Sequence, residues 1–388
     1  MESDSKKEKV FMQIKKITGK VCRTARPLWE EVFYEDSVRF TDYYFENKAE
    51  QNIGYVLGQV PYDAMMFRTP YTMQIGECQK ELSYIVGVAT RQECRHRGYM
   101  RKLLIHSFGE MYQEKNPFTF LMPANPAIYE PFDFKYIYER DVWELKEPER
   151  VIAFLEALTM GDVAHELKAA EFIDINFTYS KNQVELDGLY SARNLKKQKL
   201  DFPIMDRLAE FANQYLKKHY NIYVHRDAAY YEGQLKESEA QNGDIYVLFE
   251  QGEMKAFFLY AREEGEVFLQ EVMETEEGEL DFLQKSEKKK PVIMARIIHL
   301  EEMMKLVCGK ENITMVIEIE DELISENAGV FYWEITPNGS KVTKIQSQIG
   351  DRGNTGFSEK KTVTPEISMH IRDFTTWVLT GVFINEIV

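Results

Sequence analysis

The sequence predicts an α/β protein with two or three domains, each built from helices packed on mixed sheets. Three observations support this prediction. The chain has 388 residues, and a domain usually takes roughly 150. A β-branched run at residues 82–90 (LSYIVGVAT) precedes a basic loop and then helical spacing in YMRKLLIHSFGEMYQE, which together form a strand-turn-helix unit. A second run of helix followed by strands lies between residues 202 and 273.

The first domain is expected at residues 1–146. Apolar spacing in residues 27–47 predicts amphipathic helices that break near residues 34–36. Short strands are expected at residues 53–57 and 65–67, separated by a turn at Pro61, and the strand at 82–90 reads as central.

The second domain is expected at residues 147–285 and the third at residues 286–388. In the second, residues 202–219 predict a helix, and residues 244–249, 255–260 and 266–273 predict a strand meander. The same order of helix and strands occurs in the first domain, which suggests a weak internal duplication of one α/β unit. The charged run SEKKK at 286–290 reads as a solvated linker. Beyond it we expect a strand that turns into a helix, strands at 313–319, 329–335 and 340–345, a helix at 371–379, and an apolar tail, VFINEIV.

Composition and net charge indicate a globular protein and limit the kinds of partner that it can bind. Hydrophobic residues make up 44% of the chain and charged residues 29%, which is typical of globular proteins and excludes a disordered chain. The formal net charge of −16 repels nucleic acid and anionic lipid and attracts cationic molecules. We therefore expect a cationic, polyamine-like substrate, and neither nucleic acid nor a membrane as a partner.

Cysteine and histidine usage predicts a reducing compartment and no metal. The four cysteines (Cys22, Cys78, Cys94 and Cys308) form no CxxC pair, and the seven histidines form no HExxH motif. The first ten residues, MESDSKKEKV, lack the apolar core of a signal peptide. A cytoplasmic protein is the expectation.

The most specific local signal joins the end of the strand at 82–90 to the following helix. The order of features is a strand end, an arginine-rich loop, a glycine and the start of a helix. This arrangement directs backbone N–H groups and the positive end of the helix towards a pyrophosphate. The alternative is a solvated basic turn that only caps a helix. The candidate ligand-binding residues of this segment are Val88, Ala89 and Thr90 at the strand end, followed by Arg95, His96, Arg97, Gly98, Tyr99, Met100 and Arg101 in the phosphate-binding turn.

This loop resembles the R/Q-x-x-G-x-G/A pyrophosphate signature of the GCN5-related N-acetyltransferases, here Arg95-x-x-Gly98-x-Met100. The wider chain resembles the Eis (enhanced intracellular survival) type acetyltransferases of that superfamily. The resemblance implies two tandem acetyltransferase-like units followed by a sterol-carrier-protein-like α+β domain. It also implies one acetyl-CoA per chain, because acidic residues from Glu271 onward stand where a second unit would need its basic loop.

The same resemblance implies the catalytic groups. Tyr129, in Ile-Tyr-Glu-Pro-Phe-Asp, matches the family's general acid, although a tyrosine taken alone is more often a packed aromatic. Asp133 stands where the family commonly has glycine, and aspartate tolerates left-handed backbone angles. The terminal carboxylate of Val388 is implied as general base. Ala124 and Asn125 join the implied acetyl-CoA site, and Glu386 and Asp36 are weaker candidates for the acceptor cleft.

The predicted reaction is direct acetyl transfer from acetyl-CoA to a primary amine, in a homo-oligomer that the resemblance implies is a hexamer. Backbone N–H groups near Val88 to Thr90 would polarise the thioester. The resemblance implies aminoglycoside-like acceptors. Two alternatives stay open: acetylation of protein or peptide amines, and a non-enzymatic ligand-binding protein with a relic acetyltransferase fold.

Overall fold

A computed structural model describes residues 13–160, 188–197, 203–263, 266–345 and 364–386. The strands are β1 (Lys15–Thr18), β2 (Ile53–Leu57), β3 (Ala64–Ile75), β4 (Cys78–Thr90), β5 (Phe118–Leu121), β6 (Lys135–Leu145), β7 (Gly188–Ser191), β8 (Ile222–Val224), β9 (Asp244–Glu250), β10 (Glu253–Glu263), β11 (Glu266–Glu274), β12 (Leu283–Ile297), β13 (Ile313–Glu320), β14 (Gly329–Thr336), β15 (Gly339–Ile345), β16 (Ile367–His370) and β17 (Val382–Phe383). The α-helices are α1 (Arg26–Val32), α2 (Val38–Tyr43), α3 (Tyr99–Gln113), α4 (Pro148–Met160), α5 (Ala192–Lys197), α6 (Ile204–His219), α7 (Ala228–Ala240), α8 (Leu300–Leu306) and α9 (Ile371–Val378).

The largest sheet has the order β1-β2-β3-β4-β5-β12-β6, with β8 pairing both β3 and β17. Strand β12 pairs antiparallel with β5 on one side and with β6 on the other. Residues 286–290 lie inside this strand, so the prediction of a linker there is wrong. Their charges remain solvated because this part of β12 is exposed, and Lys285 and Lys289 pair with Asp141 on β6. The division of the chain into three domains stays a prediction.

The hairpin of β3 and β4 is longer than the sequence predicted, since residues 65–67 and 82–90 are only parts of its two strands. Its register shifts at Met66, which faces both Gly87 and Val88, so β4 carries a bulge. Gly87 has φ +60°, and a Cβ there would lie 2.6 Å from the indole of Trp29. Only glycine fits this bulge without strain.

The described residues also form two smaller sheets. One has the order β11-β10-β9-β7 and the other β15-β14-β13-β16, in which β13 and β16 are parallel. The predicted meander, the predicted helix at 202–219 and the predicted strands between residues 313 and 345 all occur, with ends that move by at most three residues. The break between α1 and α2 falls at residues 33–37, which confirms the predicted interruption.

Helix α3 packs on the main sheet through an apolar stripe, Leu103, Leu104, Phe108 and Met111, all at most 1% exposed. The spacing of one, four and three residues keeps these side chains on one helical face. Burial of this stripe holds the N-terminus of α3 at the end of β4. Among the described residues, none of the helices combines the length and apolar character needed to span a bilayer.

Candidate active site

Strands β4 and β5 run parallel but share only one register pair in the described ladder, Tyr84 with Phe120. Beyond that pair β4 continues to Thr90 with its bulge at Gly87, so the two strands separate. A cavity of about 910 Å³ opens there, and we call it the main cavity. Where two parallel strands separate, their backbone N–H and C=O groups no longer pair with each other. A ligand that contains amide groups can form hydrogen bonds with them instead.

The basic loop and the start of α3 form one wall of the main cavity. His96 has φ +61° and Gly98 has φ +76°, and these two left-handed residues turn the chain into the helix. Gly98 is the N-cap and supplies no side-chain cap, so the first-turn N–H groups of α3 are left for a ligand. Arg95 and Arg101 line the same wall and add positive charge.

The structure brings most of the sequence-predicted site residues together and leaves three of the predicted acetyl-CoA-binding residues outside the lining. Ala89 is buried at 3% exposure on the opposite side of β4. The guanidinium of Arg97 turns back and donates to the carbonyl of Glu93 at 2.8 Å. Asn125 caps a short 3₁₀ turn by accepting from Ala127 N–H at 3.0 Å. The predicted residues that do line the cavity are Val88, Thr90, Arg95, His96, Gly98, Tyr99, Met100, Arg101, Ala124 and Tyr129.

Tyr129 also lines the main cavity and lies between two short 3₁₀ turns at residues 126–128 and 130–132. Its ring is 9% exposed and packs edge-on against Phe134. Burial raises the pKa of Tyr129 to about 12, so the phenol stays protonated at neutral pH. Asp133, four residues later, has φ +63° and ψ +21°, which confirms the left-handed turn expected of aspartate there.

Carboxylates occur on the wall formed by the loop between α1 and α2, where Glu35 and Asp36 line the cavity. The indole N–H of Trp29 donates to Asp36 at 2.8 Å and fixes its orientation. Burial raises the pKa of Asp36, and the negative charge of Glu35 adds to this effect. Across the described residues, no cluster of three or more His, Cys, Asp or Glu side chains is suited to a metal ion.

The C-terminal segment is docked as far as residue 386, whereas Val388 lies outside the described residues. Glu386 is 1% exposed and does not line the cleft, in contrast to the expectation from sequence. It accepts from the buried guanidinium of Arg226 at 2.7 Å and from the Tyr230 hydroxyl. An ion pair satisfies this carboxylate, which explains why it is turned away from the cavity.

Tyr84 also lines the main cavity. Burial raises its pKa, and the negative charge of Glu386 in the docked segment adds to this increase.

Sequence reasoning missed the aromatic and glycine residues of the cavity. Trp29, Tyr84 and Gly87 all contribute to the lining, yet each reads in sequence as an ordinary core or strand residue. A glycine inside the β-branched run 82–90 is the one available signal, because an interior strand glycine often marks a bulge.

Comparison with known proteins gives a domain assignment. Residues 13–137 match the family model described as an acetyltransferase (GNAT) domain, and this match contains the whole lining of the main cavity. No curated protein sequence matches the chain significantly.

Several solved structures share the fold over nearly the whole chain. A probable N-acyltransferase from Enterococcus faecalis V583 is 14% identical, with a TM-score of 0.66 over 94% of this chain and 88% of that one. A GCN5-related N-acetyltransferase from Anabaena variabilis is also 14% identical, with a TM-score of 0.62 over 94% and 89%. Eis1 from Mycobacterium abscessus is 10% identical, with a TM-score of 0.58 over 95% and 89%. The resemblance inferred from the Arg95 to Met100 signature is confirmed, and the chain is an acetyltransferase with residues 13–137 as its GNAT domain.

Proposed function

We propose that the protein transfers an acetyl group from acetyl-CoA to a primary amine of a cationic acceptor. The observation that carries the proposal is the main cavity, which combines a bulged strand end, an uncapped helix N-terminus and a buried tyrosine. The amide, phosphate and thioester groups of one ligand would match these three features in that order.

The residues present fit the pyrophosphate of acetyl-CoA. The first-turn N–H groups of α3 would donate to its oxygens, while Arg95 and Arg101 would supply charge-assisted hydrogen bonds. The guanidinium of Arg101 lies 5.7 Å from the ring centroid of Phe132, which holds the side chain over the cavity. Backbone N–H groups between Val88 and Thr90 would polarise the thioester carbonyl. Acetyl-CoA itself supplies the activated acyl group.

Two proton movements complete the reaction. Tyr129, protonated through its burial, would donate a hydrogen bond to the developing thiolate and then the proton. The terminal carboxylate of Val388, directly or through water, would take a proton from the incoming ammonium. A terminal carboxylate ordinarily has a pKa of about 3.5, so this role needs burial or a water relay. The burial of residues 382–386, which docks the end of the chain on the protein, supports the assignment.

The cationic acceptor is supported by charge. The chain carries a net charge of −16, and Glu35 and Asp36 add carboxylates to the cavity wall. A bound ammonium group would stabilise the charged form of Asp36 and oppose the effect of its burial. We propose a small polyamine or aminoglycoside-like molecule, with amines of proteins or peptides as the alternative acceptor.

The organisation of the remaining chain belongs to the same proposal. The sheet of β7, β9, β10 and β11 with α6 and α7 would be a second acetyltransferase-like unit without a cofactor site, and the sheet of β13 to β16 with α8 and α9 a sterol-carrier-like domain. We further propose a cytoplasmic homo-oligomer, with a hexamer implied by the Eis resemblance. Light scattering during size-exclusion chromatography would measure its mass.

An amine panel tests the proposed function. Purified protein is mixed with acetyl-CoA and one amine at a time, and release of free CoA thiol is followed with a thiol reagent. We expect release with polyamines or aminoglycosides, and the panel also contains a lysine peptide and a neutral amine. Release with the peptide alone would favour the alternative acceptor, and no release with any amine would contradict acetyl transfer to amines.

The variant Gly98→Val is expected to weaken acetyl-CoA binding by about 2 kcal/mol, roughly 30-fold, because charge-assisted hydrogen bonds to the pyrophosphate are lost. Valine is strained at φ +76°, and its side chain would enter open space at the helix N-terminus. Calorimetry measures the affinity and the number of sites, expected to be one per chain.

The matched control is Gly278→Val, because Gly278 has φ +94°, is equally open and lies outside the cavity. It should lose comparable thermal stability and keep its acetyl-CoA affinity. Equal affinity in Gly98→Val and the wild type would move the pyrophosphate site elsewhere.

The variant Asp36→Asn is expected to raise KM for a cationic acceptor about 10-fold, because a charge-assisted hydrogen bond becomes a neutral one. The amide keeps an oxygen for the Trp29 indole, so the loop should remain in place. Asp42→Asn is the control, since Asp42 pairs with Arg26 and lies outside the cavity lining. Steady-state kinetics with the best amine of the panel measure both variants, and an equal KM in the two would remove Asp36 from acceptor binding.

A further inference from the structure

A buried arginine connects the turn that carries Tyr129 to the last part of the chain. Arg296, on β12, has a fully buried side chain, and its Nη1 donates to Asp133 Oδ2 at 3.0 Å. Its Nη2 donates to both carboxylate oxygens of Asp321, at 2.8 and 2.9 Å. One guanidinium therefore holds two carboxylates from elements that are far apart in sequence.

On one side, this arginine holds the backbone of the Tyr129 turn. Asp133 is the left-handed residue that ends the second 3₁₀ turn, and Arg296 Nη1 also lies 3.5 Å from the carbonyl oxygen of Phe132. Phe132 lines the main cavity next to Tyr129. If Asp133 moved away from Arg296, the turn at residues 130–132 would be free to move, and Tyr129, which directly precedes this turn, would move with it.

On the other side, Asp321 is itself fixed. Its Oδ1 accepts the N–H groups of Leu323 and Ile324 at 2.9 and 3.0 Å, and its Oδ2 accepts from the Asn327 amide at 3.0 Å. The side chain of Asp321 is fully buried. The arginine is thus anchored to a loop after β13 that these three hydrogen bonds hold in place, and of the two carboxylates that it binds, that of Asp133 is the partly exposed one.

A buried network of this kind is costly unless every charge is paired, and apolar side chains of similar volume often give equal or greater stability. The network can instead fix the position of the turn that contains Asp133. Where a glycine would merely permit the left-handed turn, aspartate both permits it and ties it to Arg296. The carboxylate at 133 therefore adds a fixed distance between the turn and β12.

We propose that Arg296 and Asp133 are positioning residues, which fix the turn of Tyr129 so that its hydroxyl meets the leaving thiolate. The proposal rests on the proposed function. Neither residue lines the main cavity, so each acts through the turn and not on the substrate.

The decisive variant is Asp133→Gly, since glycine keeps the left-handed conformation and removes only the anchor. We expect kcat to fall about 10-fold with KM for acetyl-CoA within about twofold of the wild type, because a misplaced acid affects the reaction and not the binding of the pyrophosphate. We also expect faster amide hydrogen exchange across residues 126–134, a measurement that needs no activity.

The matched control is Glu147→Gly. Glu147 is an acidic residue at φ +50° that pairs with Arg150 on the surface, outside the main cavity. It should leave kcat and exchange in the Tyr129 turn unchanged. If Asp133→Gly fails to fold, Asp133→Asn takes its place, because asparagine tolerates the same backbone and keeps an acceptor oxygen. Its neutral amide pairs less strongly with Arg296, so kcat should fall and exchange across residues 126–134 should become faster than in the wild type. Wild-type values of both would overturn the positioning role.

The two measurements separate the two proposals. Exchange and kcat of Asp133→Gly within about twofold of the wild type would overturn the positioning role. A wild-type protein that acetylates no amine, with exchange still faster in Asp133→Gly, would instead contradict the proposed function while leaving the anchor in place.

Discussion

Replacement of Tyr129 by phenylalanine is expected to lower turnover by roughly 10²–10⁴-fold and to leave acetyl-CoA affinity nearly unchanged. Only the hydroxyl is removed, and the ring keeps its packing against Phe134. The loss follows because the leaving thiolate then has no proton donor beside it. Thiol release at saturating substrates measures turnover, and calorimetry measures binding.

Tyr138→Phe is the matched control, because Tyr138 is similarly buried at 8% exposure and lies outside the main cavity. It should keep near-native turnover. If chemistry is rate-limiting and Tyr129→Phe also turns over like the wild type, Tyr129 is a packing residue.

The pH dependence gives an independent check on this acid. A general acid acts in its protonated form, so its contribution is lost as pH rises through its pKa. Because burial raises the pKa of Tyr129 to about 12, it should cause no fall in kcat between about pH 7 and 10. A fall centred near pH 10 that disappears in Tyr129→Phe would show an exposed phenol instead.

Blocking the terminal carboxylate is the second change with a large expected effect. With Val388 as the last residue, C-terminal amidation or a short C-terminal tag should lower turnover by roughly 10²-fold or more, the usual cost of losing a general base. Val388→Ala keeps the carboxylate and removes about 1–2 kcal/mol of apolar docking at most, so it should remain far more active.

The control for the tag is the same tag at the N-terminus, with acetyl-CoA affinity and thermal stability measured for every form. A C-terminally tagged enzyme with full activity and intact acetyl-CoA binding would show that the base lies elsewhere. Glu386 is then a poor substitute because its carboxylate is held by Arg226, which leaves Asp36 or a water near it as the next candidate.

Local features of the fold were predictable because local sequence determines them. Helix α3 begins at Tyr99, directly after the glycine that the loop motif required. The left-handed turn at Asp133 followed from the tolerance of aspartate for that conformation. In both cases the residues next to the feature are sufficient to predict it.

Contacts between distant segments were not predictable in the same way. The charged run at 286–290 reads as a linker by composition, and its place in β12 depends on partners in β5 and β6 more than 130 residues earlier, as the pairing of Ala295 with Phe120 illustrates. The pairing of Arg226 with Glu386 spans 160 residues. A single sequence contains no periodicity or spacing that links such partners, so Glu386 reads as a surface carboxylate.

The position of β12 between β5 and β6 also fixes an order of events during protein synthesis. Strand β6 ends at residue 145 and β12 at residue 297, so the ribosome adds roughly 150 residues between them, which takes roughly 8–30 s at about 5–20 residues per second. During that time β5 and β6 each have an unpaired edge, and unpaired edges are where nascent chains associate wrongly. Within the described part of the chain, the residues that line the main cavity all precede residue 133, yet the strand that joins β5 to β6 in the same sheet is complete only when residue 297 has been made.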